Sequence, residues 1–174
     1  MASAPTVSSV DRAAVDVPAL YAAHWHALVR LAVLLVDDVP TAEDVVQDAF
    51  ISLYRHQDRL RATEAALAYV RQAVVNGSRS RLRHRAVVRR TLHVVADSPD
   101  GAQLEAFDAV GVDIEMIGAL RTLPRRMQEV LVLRYWSDLS EAQIAQTLGI
   151  STGAVKSTAH RGVERLRSTL GGAR

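Results

Sequence analysis

An all-α fold of two small helical domains joined by a flexible acidic linker is what this 174-residue sequence predicts. Three observations carry that expectation. Apolar residues recur at helical spacing through most of the chain. Aromatic content is only 5%, and 9 Gly and 5 Pro leave few breaks between long periodic runs, a balance that favours helices over sheets. Charge is sorted along the chain: an Arg-rich run is followed, over 91–115, by six acids with no Lys or Arg. The expected organisation is a loose tail over 1–16, a first domain over 17–91, the acidic linker over 92–112, a second domain over 113–170 and a short tail over 171–174.

The first helix is expected from about Val17 to Val36, with Leu20, His24, Leu28, Leu31 and Leu35 on one face. Asp37-Asp38-Val39-Pro40 ends it. The second is read as starting at Thr41, a capping residue with Asp44 in the reciprocal position. Its core stripe is Ala42, Val45, Val46, Ala49, Phe50 and Leu53, while Asp44, Gln47, Asp48, Ile51 and Tyr54 form a second stripe. Acids and an amide beside an exposed apolar group suit a docking face for a basic partner. On chemistry alone, plain surface charge comes first for these residues, docking second and catalysis a distant third.

A polar basic loop, 55–63, precedes a third helix from about Glu64 to Arg90. Its first half packs through Leu67, Val70, Ala73 and Val74. From Tyr69 to Arg90 it carries seven Arg and His84 with no acid, a concentration that repels itself unless a polyanion neutralises it. Tyr69 adds a stacking group and Asn76 an amide able to read a base edge. Nucleic acid is favoured here over a merely solvated basic helix. After the linker, a helix through Ile114, Ile117 and Leu120 resumes the fold, and Leu123-Pro124 opens another that runs to Tyr135-Trp136.

The stretch 139–170 holds two short helical patterns around a tight turn. Ser140 and Gln143 fit a capping box, and Gly149 stands where the chain must turn left-handed. Ser151 is placed to cap the last helix, whose apolar residues are Val155, Ala159, Val163 and Leu166. Thr152, Lys156, Ser157, His160, Arg161 and Arg165 lie on its other face. A small residue at Ala145, Gly at the turn and a basic second helix describe a DNA-binding helix-turn-helix rather than a packed hairpin. Thr152, Lys156 and Ser157 are nearest to base edges, and Arg161 and Arg165 suit the backbone.

Other classes lack their signatures. The chain has no Cys, hence no disulfide and no thiolate zinc site, which suits a reducing cytoplasm. His24 and His26, two apart on a helix, diverge and make a poor metal pair. Nothing resembles a phosphate loop or a nucleophile elbow, so no enzyme, metal or cofactor is expected. The most apolar stretch, Leu28 to Val36, contains Arg30 and is too short to cross a bilayer. A soluble cytoplasmic protein without membrane insertion is the expectation.

Two DNA-directed helical modules in this order resemble the extracytoplasmic-function (group 4) RNA polymerase sigma factors of the sigma-70 family, and the Ala/Arg-rich sequence is actinobacterial in style. Ala42-Glu43-Asp44-Val45-Val46-Gln47-Asp48-Ala49-Phe50 is similar to the region 2.2 helix. The run from Tyr69 to Asn76, then Arg83, resembles regions 2.3 and 2.4. Leu123-Pro124, Glu129-Val130-Leu131 and Leu133-Arg134-Tyr135 resemble region 4.1, and the helix-turn-helix resembles region 4.2. The likeness covers about residues 18 to 170. It departs at Tyr69, often Trp in the family, and at Ser80, where Asp is common.

The resemblance implies core RNA polymerase and promoter DNA as partners, and an anti-sigma factor as a further partner class. Asp44, Gln47, Asp48 and Ile51 would meet the β′ clamp helices, and the second domain the β flap. Tyr69, Arg71, Asn76, Arg79 and Arg83 would hold and melt the −10 element. Thr152, Lys156, Ser157, His160, Arg161 and Arg165 would read the −35 element. The alternative is a stand-alone helix-turn-helix transcriptional regulator, which would bind duplex DNA without polymerase.

Overall fold

Polar side chains that can take up unpaired amides mark most helix starts in this chain. The computed structural model describes residues 15–36, 38–60, 62–92 and 101–171, and all regular structure in them is helical. α1 (Val17–Val33) starts at Asp16, whose carboxylate accepts from the Ala19 amide at 2.9 Å. Val15 is already buried, so the expected tail over 1–16 ends two residues early; residues 1–14, like 172–174, lie outside the described ones.

α2 (Val39–His56) begins earlier than the sequence suggested. Asp38, not Thr41, is its cap, accepting from the Thr41 amide at 2.7 Å and from the Thr41 hydroxyl at 3.0 Å. Pro40 occupies the first turn, where its missing N–H costs nothing. Most of the expected basic loop is also regular, because α2 runs to His56 and a short 3-10 turn covers Gln57–Arg59. α3 (Thr63–Leu92) is the longest element at 30 residues.

The whole expected stripe of α2 is buried, and it joins one core with Leu20, Leu28 and Leu31 of α1 and Val70, Val74 and Val75 of α3. Gly77 sets how closely α3 crosses α2: a Cβ there would stand 3.0 Å from the Val45 side chain.

Within the expected linker, 93–100 lie outside the described residues, but α4 (Gly101–Ala109) is a packed helix rather than a free tether. Phe107 drives this, at 1% exposure one of the most buried large side chains. An aromatic side chain of that size anchors a short helix which acidic composition alone disguises.

The second domain comprises α5 (Ile114–Arg121), α6 (Arg125–Tyr135), α7 (Glu141–Leu148) and α8 (Thr152–Gly171). The capping box of Ser140 and Gln143 forms as expected, and Gly149 adopts φ 65°. Ser151 accepts from the Ala154 amide at 3.1 Å. Gly162 on α8 leaves room for Leu131 of α6, which a Cβ would meet at 3.1 Å.

The two domains touch. Gln128 of α6 donates to the Leu34 carbonyl at 2.6 Å, Arg125 to the Leu35 carbonyl at 2.5 Å, and Arg121 to the Val36 carbonyl at 3.3 Å. These carbonyls close the C-terminal end of α1, where acceptors without helical partners and the negative end of the helix dipole attract cationic donors.

Asp38 also accepts from Arg85 of α3 at 2.6 Å. Burial alone would raise its carboxyl, but the bonds from Thr41 and the Arg85 charge outweigh it and hold the group below its ordinary value. A depressed folded-state value means stability present at neutral pH and lost as pH falls through it. Asp38→Ala is expected to cost about 1–2 kcal/mol at pH 7. In urea titrations the gap from the parent chain should narrow below about pH 4, the ordinary carboxylate range.

Candidate polymerase and promoter interfaces

On α2, the residues left over after core packing make the first surface. Asp44, Gln47 and Asp48 are exposed, Ile51 is 43% exposed and Tyr54 64%. Positions 44, 48 and 51 stack along one side of the helix. Ile51 and Tyr54 are the large apolar side chains of α2 left this open, and they stand beside carboxylates. Arg81 of α3 borders the ridge, 3.0 Å from Asp48 and 4.0 Å from Asp44. All three side chains are well solvated, so these ion pairs are weak and exchangeable.

The second surface is α3, and here the structure separates residues the sequence grouped. Arg83 and Asn76 are exposed. Tyr69 is half-buried: its hydroxyl is 2.7 Å from Ser52 Oγ and 3.4 Å from His56 Nδ1, which itself sits 2.8 Å from the Ser52 carbonyl. The ring therefore belongs partly to the α2–α3 packing and not wholly to an open stacking platform. Tyr69 and Arg71 line a cleft of about 500 Å³ between α3 and α7, across from Gln143 and Thr147. Burial there lowers the Arg71 guanidinium from its ordinary value.

Arg79 is engaged most fully. Its Nε and Nη2 each donate to Glu129 of α6 at 2.6 Å, a bidentate fork, while Nη1 donates to Asn76 at 3.3 Å. The bonds to Glu129 raise its already high value, against the opposing effect of burial. Arg125 and Arg126 approach the same carboxylate at 3.5 and 3.4 Å, and Glu129 is 1% exposed. Sequence reasoning assigned Glu129 only to a family block. The signal available was a lone acid amid apolar residues with Arg three and four positions before it.

The third surface is α8. Val155, Thr158, Ala159 and Gly162 are buried, which turns Thr152, Lys156, Ser157, His160, Arg161 and Arg165 outward. They form two parallel rows at four-residue spacing, 152–156–160 and 157–161–165. Lys156 lies 3.7 Å from Glu141, which also holds Arg134 at 3.2 Å, and His160 lies 3.4 Å from Glu164. A helix with one polar, basic, otherwise unoccupied side, capped by a tight turn from α7, matches what enters a major groove.

Helical domains with these faces, in this order, define a sigma-type initiation factor. A sigma-70 region 2 model matches residues 20–87 and a sigma-70 region 4 model residues 114–166. The chain is 33% identical over 146 residues to an RNA polymerase sigma-E factor of Streptomyces coelicolor, covering 83% of this chain and 80% of that one. It is also 33% identical over 156 residues to the ECF RNA polymerase sigma factor SigL of Mycobacterium tuberculosis, covering 87% of each. Among solved structures, the sigma factor RpoE in complex with the anti-sigma factor NepR from Bartonella quintana aligns at TM-score 0.64 and 25% identity, over 91% of this chain and 93% of that one. CnrH in complex with the cytosolic domain of CnrY aligns at TM-score 0.69 and 23% identity, over 91% and 89%, a likeness of fold. The chain belongs to the extracytoplasmic-function class of the sigma-70 family.

If α8 meets DNA phosphates through Arg161 and Arg165, Arg161→Ala with Arg165→Ala should flatten the log–log salt dependence of promoter binding by the holoenzyme. The expected change is roughly 1–2, at about 0.9 per lost phosphate contact. An unchanged slope would place the duplex elsewhere.

Proposed function

We propose that this chain is a dissociable promoter-specificity subunit of RNA polymerase with no catalytic residue of its own. The observation that carries this is one chain presenting both an acid-and-apolar ridge on α2 and an outward basic face on α8, each left open by the packing beneath it. The ridge of Asp44, Gln47, Asp48 and Ile51 docks on the β′ clamp helices. Attachment there brings α3 to the −10 region, where Arg71, Arg79 and Arg83 hold phosphates, Asn76 meets a base edge and Tyr69 offers the part of its ring facing the cleft. Unstacking bases costs a few kcal/mol per step, which stacking and phosphate contacts must offset.

The second domain meets the β flap and sends α8 into the −35 major groove, with Thr152, Lys156 and Ser157 toward bases and His160, Arg161 and Arg165 toward the backbone. Neither contact needs to be strong, because polymerase tethers both and raises their effective concentration. RpoE is held by an anti-sigma factor; a partner of that class is proposed for this chain too. Among the described residues no helix is long and apolar enough to cross a membrane, and the proposed place of action is the cytoplasm, with polymerase.

Run-off transcription with purified core polymerase on genomic promoters tests the reading. Specific transcripts are expected only when the chain is added, and folded protein that yields none overturns it. Gln47→Ala with Asp48→Ala should weaken capture of core polymerase about tenfold, with thermal stability unchanged. Equal capture would remove α2 as the docking element.

A further inference from the structure

Lys156 is the only lysine in a chain with 21 Lys and Arg residues, and it stands in the half of α8 that leads toward base edges. Its setting differs from that of its neighbour on the same row. His160 pairs with Glu164 of its own helix, whereas the carboxylate beside Lys156 comes from α7. Glu141 Oε2 lies 3.7 Å from Lys156 Nζ, and Glu141 Oε1 accepts from Arg134 of α6 at 3.2 Å. One carboxylate thus commits each of its oxygens to a different helix.

Glu141 is held on both sides. It is the first residue of α7, directly after Ser140, so the capping box of Ser140 and Gln143 fixes its backbone. Arg134 fixes its side chain, which is 29% exposed, while that of Lys156 is 71% exposed. The acid is the fixed member of the pair and the lysine the adjustable one.

An acid at this point works against DNA attachment. In a helix-turn-helix the first helix crosses the DNA backbone, and the positive end of a helix suits phosphate. A carboxylate on that end repels it, so what Glu141 contributes lies in its effect on Lys156. Lysine is a compact charge on a flexible stem, with three donors and no fork. Beside a duplex such a charge goes to phosphate, a contact that carries no sequence information. A fixed carboxylate takes one of the donors and keeps phosphate away from the other two. Those two are left for the groove, where guanine presents O6 and N7 as acceptors. As the duplex closes over the pair and displaces water, the local dielectric falls and the pair tightens.

We infer that Glu141 is a specificity-determining positioning residue: it turns Lys156 from a phosphate contact into a reader of guanine in the −35 element, and it lowers general affinity for duplex in doing so. Arg134 acts one step further back, as the residue that holds Glu141. This aiming rests on the proposed −35 role of α8 and deepens it.

The test takes the full-length chain with core polymerase to promoters randomised over the −35 element, and to a duplex without a promoter. Glu141→Gln should lower the preference for guanine at one −35 position at least about fivefold, the low end for one good base contact. On the plain duplex the same variant should bind more tightly, with a log–log salt slope steeper by about 0.9, one added phosphate contact. Both changes should vanish when Lys156→Ala is already present, an outcome that general loss of structure would not give. Should Glu141→Gln not fold, Arg134→Gln loosens the same carboxylate from α6 and should lower the guanine preference, again only while Lys156 is present. An unchanged preference, an unchanged slope, or equal changes with and without Lys156 overturn the role of Glu141. A parent holoenzyme with no −35 preference would instead overturn the promoter-specificity role, and the slope on plain duplex would still decide whether Glu141 keeps Lys156 from phosphate.

Discussion

A single buried carboxylate organises the arrangement of the two domains. Moving Glu129 out of water carries a penalty of several kcal/mol, and only very good geometry offsets it. Here two bonds of 2.6 Å come from one guanidinium fork, and two further arginines stand within 3.5 Å. Arg125 and Arg126 belong to the same helix as Glu129, so they are present whatever the domains do. Arg79 arrives from 50 residues away. The carboxylate is therefore half-supplied locally and completed only by the other domain. That asymmetry is what a reversible contact requires: separation leaves Glu129 with cations beside it instead of stranding it alone.

α3 shows how one helix serves several ends. Its first half is bought into the core by Val70, Val74 and Val75, and Gly77 allows the close crossing with α2. Beyond that point three of its arginines answer to carboxylates on two other helices: Arg79 to Glu129 of α6, Arg81 to Asp48 and Asp44 of α2, and Arg85 to Asp38 at the start of α2. The pairs differ in depth. Arg85–Asp38 is part of a helix cap and belongs to the fold, Arg81–Asp48 is solvated and adjustable, and Arg79–Glu129 sits between domains.

Much of this architecture is legible in residue order because it is local. The capping box at Ser140, the left-handed Gly149 and the α2 stripe from Ala42 to Leu53 each depend on neighbours within a few positions, and each forms as its spacing implies. The start of α2 is harder to place, because Thr41 is also a capping residue type; the position of Pro40 and the long reach of Arg85 decide for Asp38. Phe107 was hidden in an acidic segment whose average composition outweighed one large side chain. The outward rows of α8 follow from periodicity, whereas the fates of Tyr69, Arg71 and Arg79 do not. Their burial is set by α2, α7 and α6, which no spacing along α3 encodes.

Arginines that already hold carboxylates also change how the α3 surface would respond to ions. A guanidinium that trades an aspartate for a phosphate still releases a cation from the DNA atmosphere, but it first gives up an ion pair, weak as that pair is. Contact through Arg81 would thus gain less than a count of arginines implies, and because salt also loosens the pair given up, its net dependence on ionic strength would be shallower. Arg161, which no acid on α8 neutralises at close range, would keep the steeper dependence. The two ends of one promoter grip would then respond differently to the same change in cellular salt.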